Sequence, residues 1–116
     1  MKKPSNLTLP EKPTLKDFQQ YITDMEQERG LQADINHYCL MLGEELGELF
    51  KAIRKRENHQ LDHTSKVGSV EEELADVFIF VCAMANKYQI DLEQAFREKE
   101  KVNTQRVWSR PGQDSR

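Results

Sequence analysis

The sequence predicts an all-α protein, a bundle of four helices. Apolar residues recur at spacings of three and four along four separate stretches, which is the helical period. Three of those stretches follow a Thr, Ser or Asp of the kind that caps a helix N-terminus. No strand pattern competes, because the run rich in strand formers, VFIFV at 77–81, lies inside a longer helical stretch.

Residues 1–13 hold three of the four prolines and no helical period, so they read as an extended arm that packs on a neighbour through Leu7 and Leu9. Thr14, with Asp17 three residues on, starts the first helix; Leu15, Phe18, Tyr21, Ile22 and Met25 form its stripe, and Gly30 stops it. The second helix runs from about Asp34 to Arg56, with Ile35, Tyr38, Met41, Leu42, Leu46, Leu49 and Ile53 on its apolar face. Lys51, Arg54, Lys55 and Arg56 suit its negative C-terminal end. A polar loop follows to Gly68. Ser69 and Glu72 make a capping box for a third helix over about Val70 to Tyr88, apolar nearly all round and therefore central. Asp91 and Gln94 open a fourth helix, Leu92 to about Trp108. Residues 14–108 thus form one domain and 109–116 a flexible tail. So small a bundle leaves helix faces uncovered, which predicts an oligomer.

A formal charge of −3 and no basic block beyond KAIRKR at 51–56 argue against a nucleic-acid partner. The longest apolar run, Val77 to Ala85, is far too short for a membrane span. Cys39 and Cys82 both lie in apolar stretches and read as buried thiols, and the N-terminus has no apolar leader. A cytoplasmic location is expected.

The acids are the anomaly. Glu44, Glu45 and Glu48 stand among Leu40, Met41, Leu42, Leu46, Leu49 and Phe50, and Asp76 stands directly before the most apolar run. Ionised carboxylates are rarely buried without a partner. Glu45 and Glu48 are three apart, as are Glu73 and Asp76, so each pair shares a helix face. On adjacent antiparallel helices the two pairs converge as four carboxylates. Like charges so close raise one another's pKa, and a divalent cation removes the conflict. Oxygen ligands select Mg²⁺, Mn²⁺ or Ca²⁺. A di-iron bundle would need Glu-x-x-His, and Glu48 and Asp76 occupy the place of the histidine, which favours magnesium. Glu44, Glu71 and Glu72 read as surface charge or favourable first-turn acids.

The pattern Glu45-x-x-Glu48, 24 residues, Glu73-x-x-Asp76 resembles the paired motif of the MazG-like all-α nucleoside triphosphate pyrophosphatases. The strings GEELGELFKAIRK and EEELADVFIFV resemble that family's two central helices. Lys99-x-x-x-Asn103-x-x-Arg106, with Trp108 beyond, resembles its C-terminal motif. The resemblance implies a four-helix fold of that type and Mg²⁺-dependent cleavage of a nucleoside triphosphate between the α- and β-phosphates. It also implies a homodimer or homotetramer with sites between chains, and Glu45, Glu48, Glu73 and Asp76 as metal ligands and catalytic residues, with Mn²⁺ as a second candidate ion.

Lys99, Asn103 and Arg106 lie at helical spacings of four and three, so one phosphate-facing surface is available to them; a solvated helix face is the alternative. Lys51, one turn past Glu48, either touches phosphate or pairs on the surface. His37 projects about 20° from Glu48's direction at roughly 100° per residue and either bonds a base or sugar or is a partly buried structural residue. Gly43 and Gly47 suit close helix packing. Phe18, Tyr21 and Tyr38 read as core rather than as base-stacking residues. House-cleaning of noncanonical or excess nucleotides is the expected role. A nonenzymatic helical interaction or nucleotide-binding module is the alternative.

Overall fold

The computed structural model describes residues 5–112. Four helices follow in order: α1 Leu15–Arg29, α2 Ile35–Arg56, α3 Val70–Lys87 and α4 Leu92–Thr104. No strand occurs among the described residues.

Each helix begins where a side chain takes over an orphan backbone N–H. Thr14 Oγ1 accepts from the Asp17 N–H at 3.2 Å, and Asp17 Oδ2 accepts from the Thr14 N–H at 2.8 Å, a complete capping box. Asp34 Oδ1 accepts from the His37 N–H at 2.8 Å, and Asp91 Oδ1 from the Gln94 N–H at 3.1 Å. Ser69 Oγ accepts from the Glu72 N–H at 3.0 Å, the forward half of the box expected there. Gly30 ends α1 at φ 65°, the left-handed conformation that glycine adopts without a Cβ clash.

Helices α2 and α3 form an antiparallel hairpin. Near its open end Lys87 Nζ stands 5.9 Å from the Tyr38 ring centroid, and at the loop end Arg56 pairs with Glu71. Helix α1 lies across α3. Ile22, Met25, Tyr38, Cys82 and Ala83 form the core, and the Phe18 ring meets Phe78 edge-on at 5.3 Å. Helix α3 is central, as its all-round apolar character predicted.

The α3–α4 corner is held by Gln19. Its Nε2 donates to Asn86 Oδ1 at 3.0 Å and to the Ile90 carbonyl at 2.8 Å, while its Oε1 accepts from the Leu92 N–H at 3.0 Å. Asn86 Nδ2 returns a bond to the Gln19 carbonyl at 2.9 Å. These part-buried groups set the angle at which α4 leaves. Beyond its first turn α4 is open: it contributes no buried residue, and Phe96 and Val102 are exposed. The Cα radius of gyration, 18.5 Å, exceeds the about 13 Å of a closed domain of this length.

Three expectations need correction. Helix α4 stops at Thr104 rather than near Trp108; Val107 and Trp108 are exposed, and a helix end with nothing to pack on gains little from continuing. Cys39 is exposed, because its face of α2 points away from α1 and α3, whereas Cys82 is buried with burial pushing its thiol pKa up. His37 is exposed rather than partly buried. Leu7 packs on this chain's own core. The parts of the arm at 1–4 and of the tail at 113–116 lie outside the described residues.

Candidate active site

Three of the four expected carboxylates meet. One oxygen from each of Glu45, Glu73 and Asp76 lies within 4.8 Å of the others. Glu45 comes from the middle of α2 and Glu73 and Asp76 from the first turns of α3, so the antiparallel register of the hairpin makes the cluster. Glu73 is only 8% exposed; Glu45 and Asp76 are half-buried. Burial, and then the charges of Asp76 and Glu73, push the Glu45 carboxyl above its ordinary value. Three acids sharing one partly dry site, with one driven toward protonation, suit a divalent cation, whose charge would reverse that shift. The donor set is all oxygen, which favours a hard ion.

Glu73 owes its place to the start of α3. The Ser69 cap fixes the first turn, and the Glu73 N–H bonds the Ser69 carbonyl at 3.1 Å. Gly68 then leaves room. A Cβ there would collide with Glu73 Oε1, lie 3.4 Å from its Cδ, and lie 3.2 Å from Glu72 Oε2. Gly68 is outside the positive-φ region, so space rather than backbone freedom distinguishes it from alanine.

Glu48 lies one turn past Glu45, half-buried, and its carboxylate is not in the group of three. Glu44 is exposed, as is Glu71, whose partner is Arg56. Lys51 is half-buried on the next turn of α2. Lys99 is exposed, Asn103 half-buried, and Arg106 lies past the end of α4, so these three do not continue one helical face as expected.

A cavity of about 310 Å³ opens beside Glu45 and Asp76, between α1, α2 and α3. Ile22, Met25, Met41, Ile79 and Phe80 give it apolar walls; Glu26, Arg29 and His37 also line it. No residue of α4 does. Sequence reasoning missed Glu26 and Gly68. The signal for Glu26 was its place next to Met25 in the apolar stripe of α1. For Gly68 no signal separated a spacer from an ordinary loop end.

A family model described as the MazG nucleotide pyrophosphohydrolase domain matches residues 34–107. The chain belongs to that family. Crystal structures of iMazG from Vibrio DAT 722 are similar in fold and sequence. The Ctag form is 36% identical with a TM-score of 0.61, across 78% of this chain and 98% of that one. The Ntag form gives the same identity and TM-score, across 78% of this chain and 94% of that one. A further Ctag-iMazG chain is 39% identical with a TM-score of 0.51, across 65% of this chain and 100% of that one. No curated protein matches.

This MazG chain is therefore a nucleoside triphosphate pyrophosphohydrolase with an all-α, four-helix fold. The matched span takes in α2, α3 and α4 and with them all three clustered carboxylates; α1, which walls one side of the cavity, lies before it. No helix among the described residues is long and apolar enough to cross a membrane.

Proposed function

We propose that this MazG enzyme hydrolyses a ribo- or deoxyribonucleoside triphosphate between its α- and β-phosphates in a Mg²⁺-dependent reaction, with Mn²⁺ able to substitute. The observation that supports this most is the meeting of Glu45, Glu73 and Asp76 at the edge of a cavity of nucleoside size. These three would hold the ion, which when bound would offset phosphate charge and acidify water. Glu48, outside the group of three, completes the set of four acids and accepts the proton of the attacking water. Water adds across the α–β anhydride, the bridging oxygen departs with pyrophosphate, and the monophosphate remains.

The apolar walls take the base. Lys51, on the same helix as Glu45, and Lys99, Asn103 and Arg106, on and beyond α4, meet the phosphates, and His37 at the cavity mouth meets the sugar or base. In the homo-oligomer the α4 groups serve the site of a second copy, a reading that fits a cavity no α4 residue of this chain lines. Exposed apolar stripes support a homodimer or homotetramer. Leu74 and Val81 on α3 and Tyr88 at its C-terminal cap recur every seven residues, and Leu40 and Phe50 flank Gly43 and Gly47 on α2, with nothing within 4 Å of where either glycine's Cβ would be. Residues 14–108 form the catalytic domain, residues 1–13 an arm and residues 109–116 a tail. Removal of noncanonical or excess nucleotides in the cytoplasm is the role, with neither nucleic acid nor membrane as partner.

Pyrophosphate release from a panel of ribo- and deoxyribonucleoside triphosphates, with and without Mg²⁺, tests this. Release that needs the metal and is lost in Asp76→Asn is expected. Turnover retained in that variant would overturn the placement of the site.

A further inference from the structure

The carboxylate of Glu26 is an unusual group to find in an apolar wall. Only 8% of the residue is exposed. The Tyr38 hydroxyl donates to Glu26 Oε2 in a buried hydrogen bond. None of the ion pairs among the described residues involves Glu26. A carboxylate this deep is costly unless donors surround it, and one phenol supplies only a single donor. Among the described residues no sealed side-chain oxygen lacks a partner, so the second Glu26 oxygen is open, and the residue lines the cavity beside Glu45 and Asp76. Its neighbours there, Ile22, Met25 and Phe80, offer no donor. Arg29 and His37, which do, are exposed residues at the mouth.

We infer that Glu26, held by Tyr38, is a specificity-determining residue that accepts a hydrogen bond from an exocyclic amine of the substrate base. The inference rests on the reading of this cavity as the base site. A carboxylate oxygen accepts N–H and repels a carbonyl oxygen. Amino bases such as adenine and cytosine complete its hydrogen bonding, whereas their deaminated counterparts, hypoxanthine and uracil, set a carbonyl against it. A buried polar group left unpaired by the wrong substrate discriminates more strongly than apolar contact does. Glu26 also lies on α1, outside the span matched to the family, whereas the carboxylate cluster lies inside it. Catalysis and base selection thus come from different parts of the chain. Within the house-cleaning role, this directs the enzyme to amino-bearing nucleotides and away from deaminated ones.

The test compares dATP with dITP, and dCTP with dUTP, by pyrophosphate release from the full chain with Mg²⁺. Binding of the non-hydrolysable α,β-imido analogues of dATP and dITP is measured alongside. The wild-type protein is expected to favour the amino member of each pair at least about tenfold in kcat/KM, mostly through KM. Glu26→Gln keeps the size, still accepts from Tyr38 and turns a donor toward the base, so it should abolish or invert the preference. Its melting temperature and Mn²⁺ affinity should match wild type, which a merely structural Glu26 would not combine with an inverted ranking. Equal use of amino and keto nucleotides by the wild type would overturn the inference without any variant. A preference that survives Glu26→Gln would overturn it as well. Turnover retained in Asp76→Asn would instead sink the site reading, a different result.

Discussion

The Glu73 carboxylate rests where a side chain at Gly68 would be: a Cβ there would collide with Glu73 Oε1. The colliding atom is the far end of a flexible side chain, so Gly68→Ala can be relieved by swinging the carboxylate away. The swing costs the fold little, yet it removes a proposed ligand from its position. We expect Gly68→Ala to melt within a few degrees of wild type and to bind Mn²⁺ about tenfold or more weakly, with turnover recovering at high metal. Electron paramagnetic resonance of free Mn²⁺ gives the affinity directly. Unchanged affinity would show that Glu73 holds no metal.

Glu45 should behave oppositely with and without metal. Its charge opposes those of Asp76 and Glu73 in the metal-free protein, so Glu45→Gln is expected to raise the metal-free melting temperature. Wild type should gain about 2.7 kcal/mol at a metal concentration one hundred times Kd, and the variant should gain almost none. Thermal scans across a Mg²⁺ titration, in both proteins, decide this. A full metal response in Glu45→Gln would remove it from the ligand set.

Tyr38 carries a pH signature. Burial and the Glu26 hydrogen bond and charge raise its hydroxyl from 10.0 to about 12. A raised folded pKa means the folded state holds the proton more tightly than the unfolded chain. The contribution is therefore fully present below pH 10 and lost as pH climbs to about 12. Urea unfolding between pH 9 and 12 should show a steeper fall for wild type than for Tyr38→Phe. Parallel curves would count against the buried Tyr38–Glu26 bond.

Gln19 ties α1 to the α3–α4 corner through three side-chain hydrogen bonds, to Asn86, Ile90 and Leu92. Gln19→Ala leaves the Ile90 carbonyl and the Leu92 N–H without those partners. A loss of about 2–3 kcal/mol is expected, with faster amide exchange at Leu92 than at the α2–α3 hairpin. A loss below about 0.5 kcal/mol would mean that water replaces the side chain freely.

Cys39 lies on the same outer stripe of α2 as Leu46 and Phe50. If a second copy covers that stripe, Cys39 should react quickly with a thiol reagent in dilute protein and slowly at high concentration. Cys82 should stay unreactive until unfolding. Labelling of Cys39 that does not depend on concentration would place the oligomer contact elsewhere.

Much of this molecule was legible from local chemistry. The helix starts at Leu15, Ile35, Val70 and Leu92 follow from caps that bond within three residues, so Thr14, Asp34, Ser69 and Asp91 mark them without tertiary help. The pairing of Glu73 with Asp76 on one face follows from helical spacing alone, and the paired acids, with the strings around them and the Lys99–Arg106 element, resemble the family whose model matches residues 34–107. What the sequence could not decide depends on groups far apart in the chain. Glu45 joins Glu73 and Asp76, and the Glu48 carboxylate is outside that group of three; how the side chains of α2 and α3 meet decides this, not spacing along either helix. Cys39 is exposed because its side of α2 has no neighbour among the described residues, and His37 is exposed although it lines the cavity. Helix α4 ends at Thr104, and Val107 and Trp108 beyond it are exposed. Glu26 lines the cavity because α1 packs on α3, where Gln19 and Asn86 bond each other. Spacing along one helix is a local property; which face meets which neighbour is settled by packing.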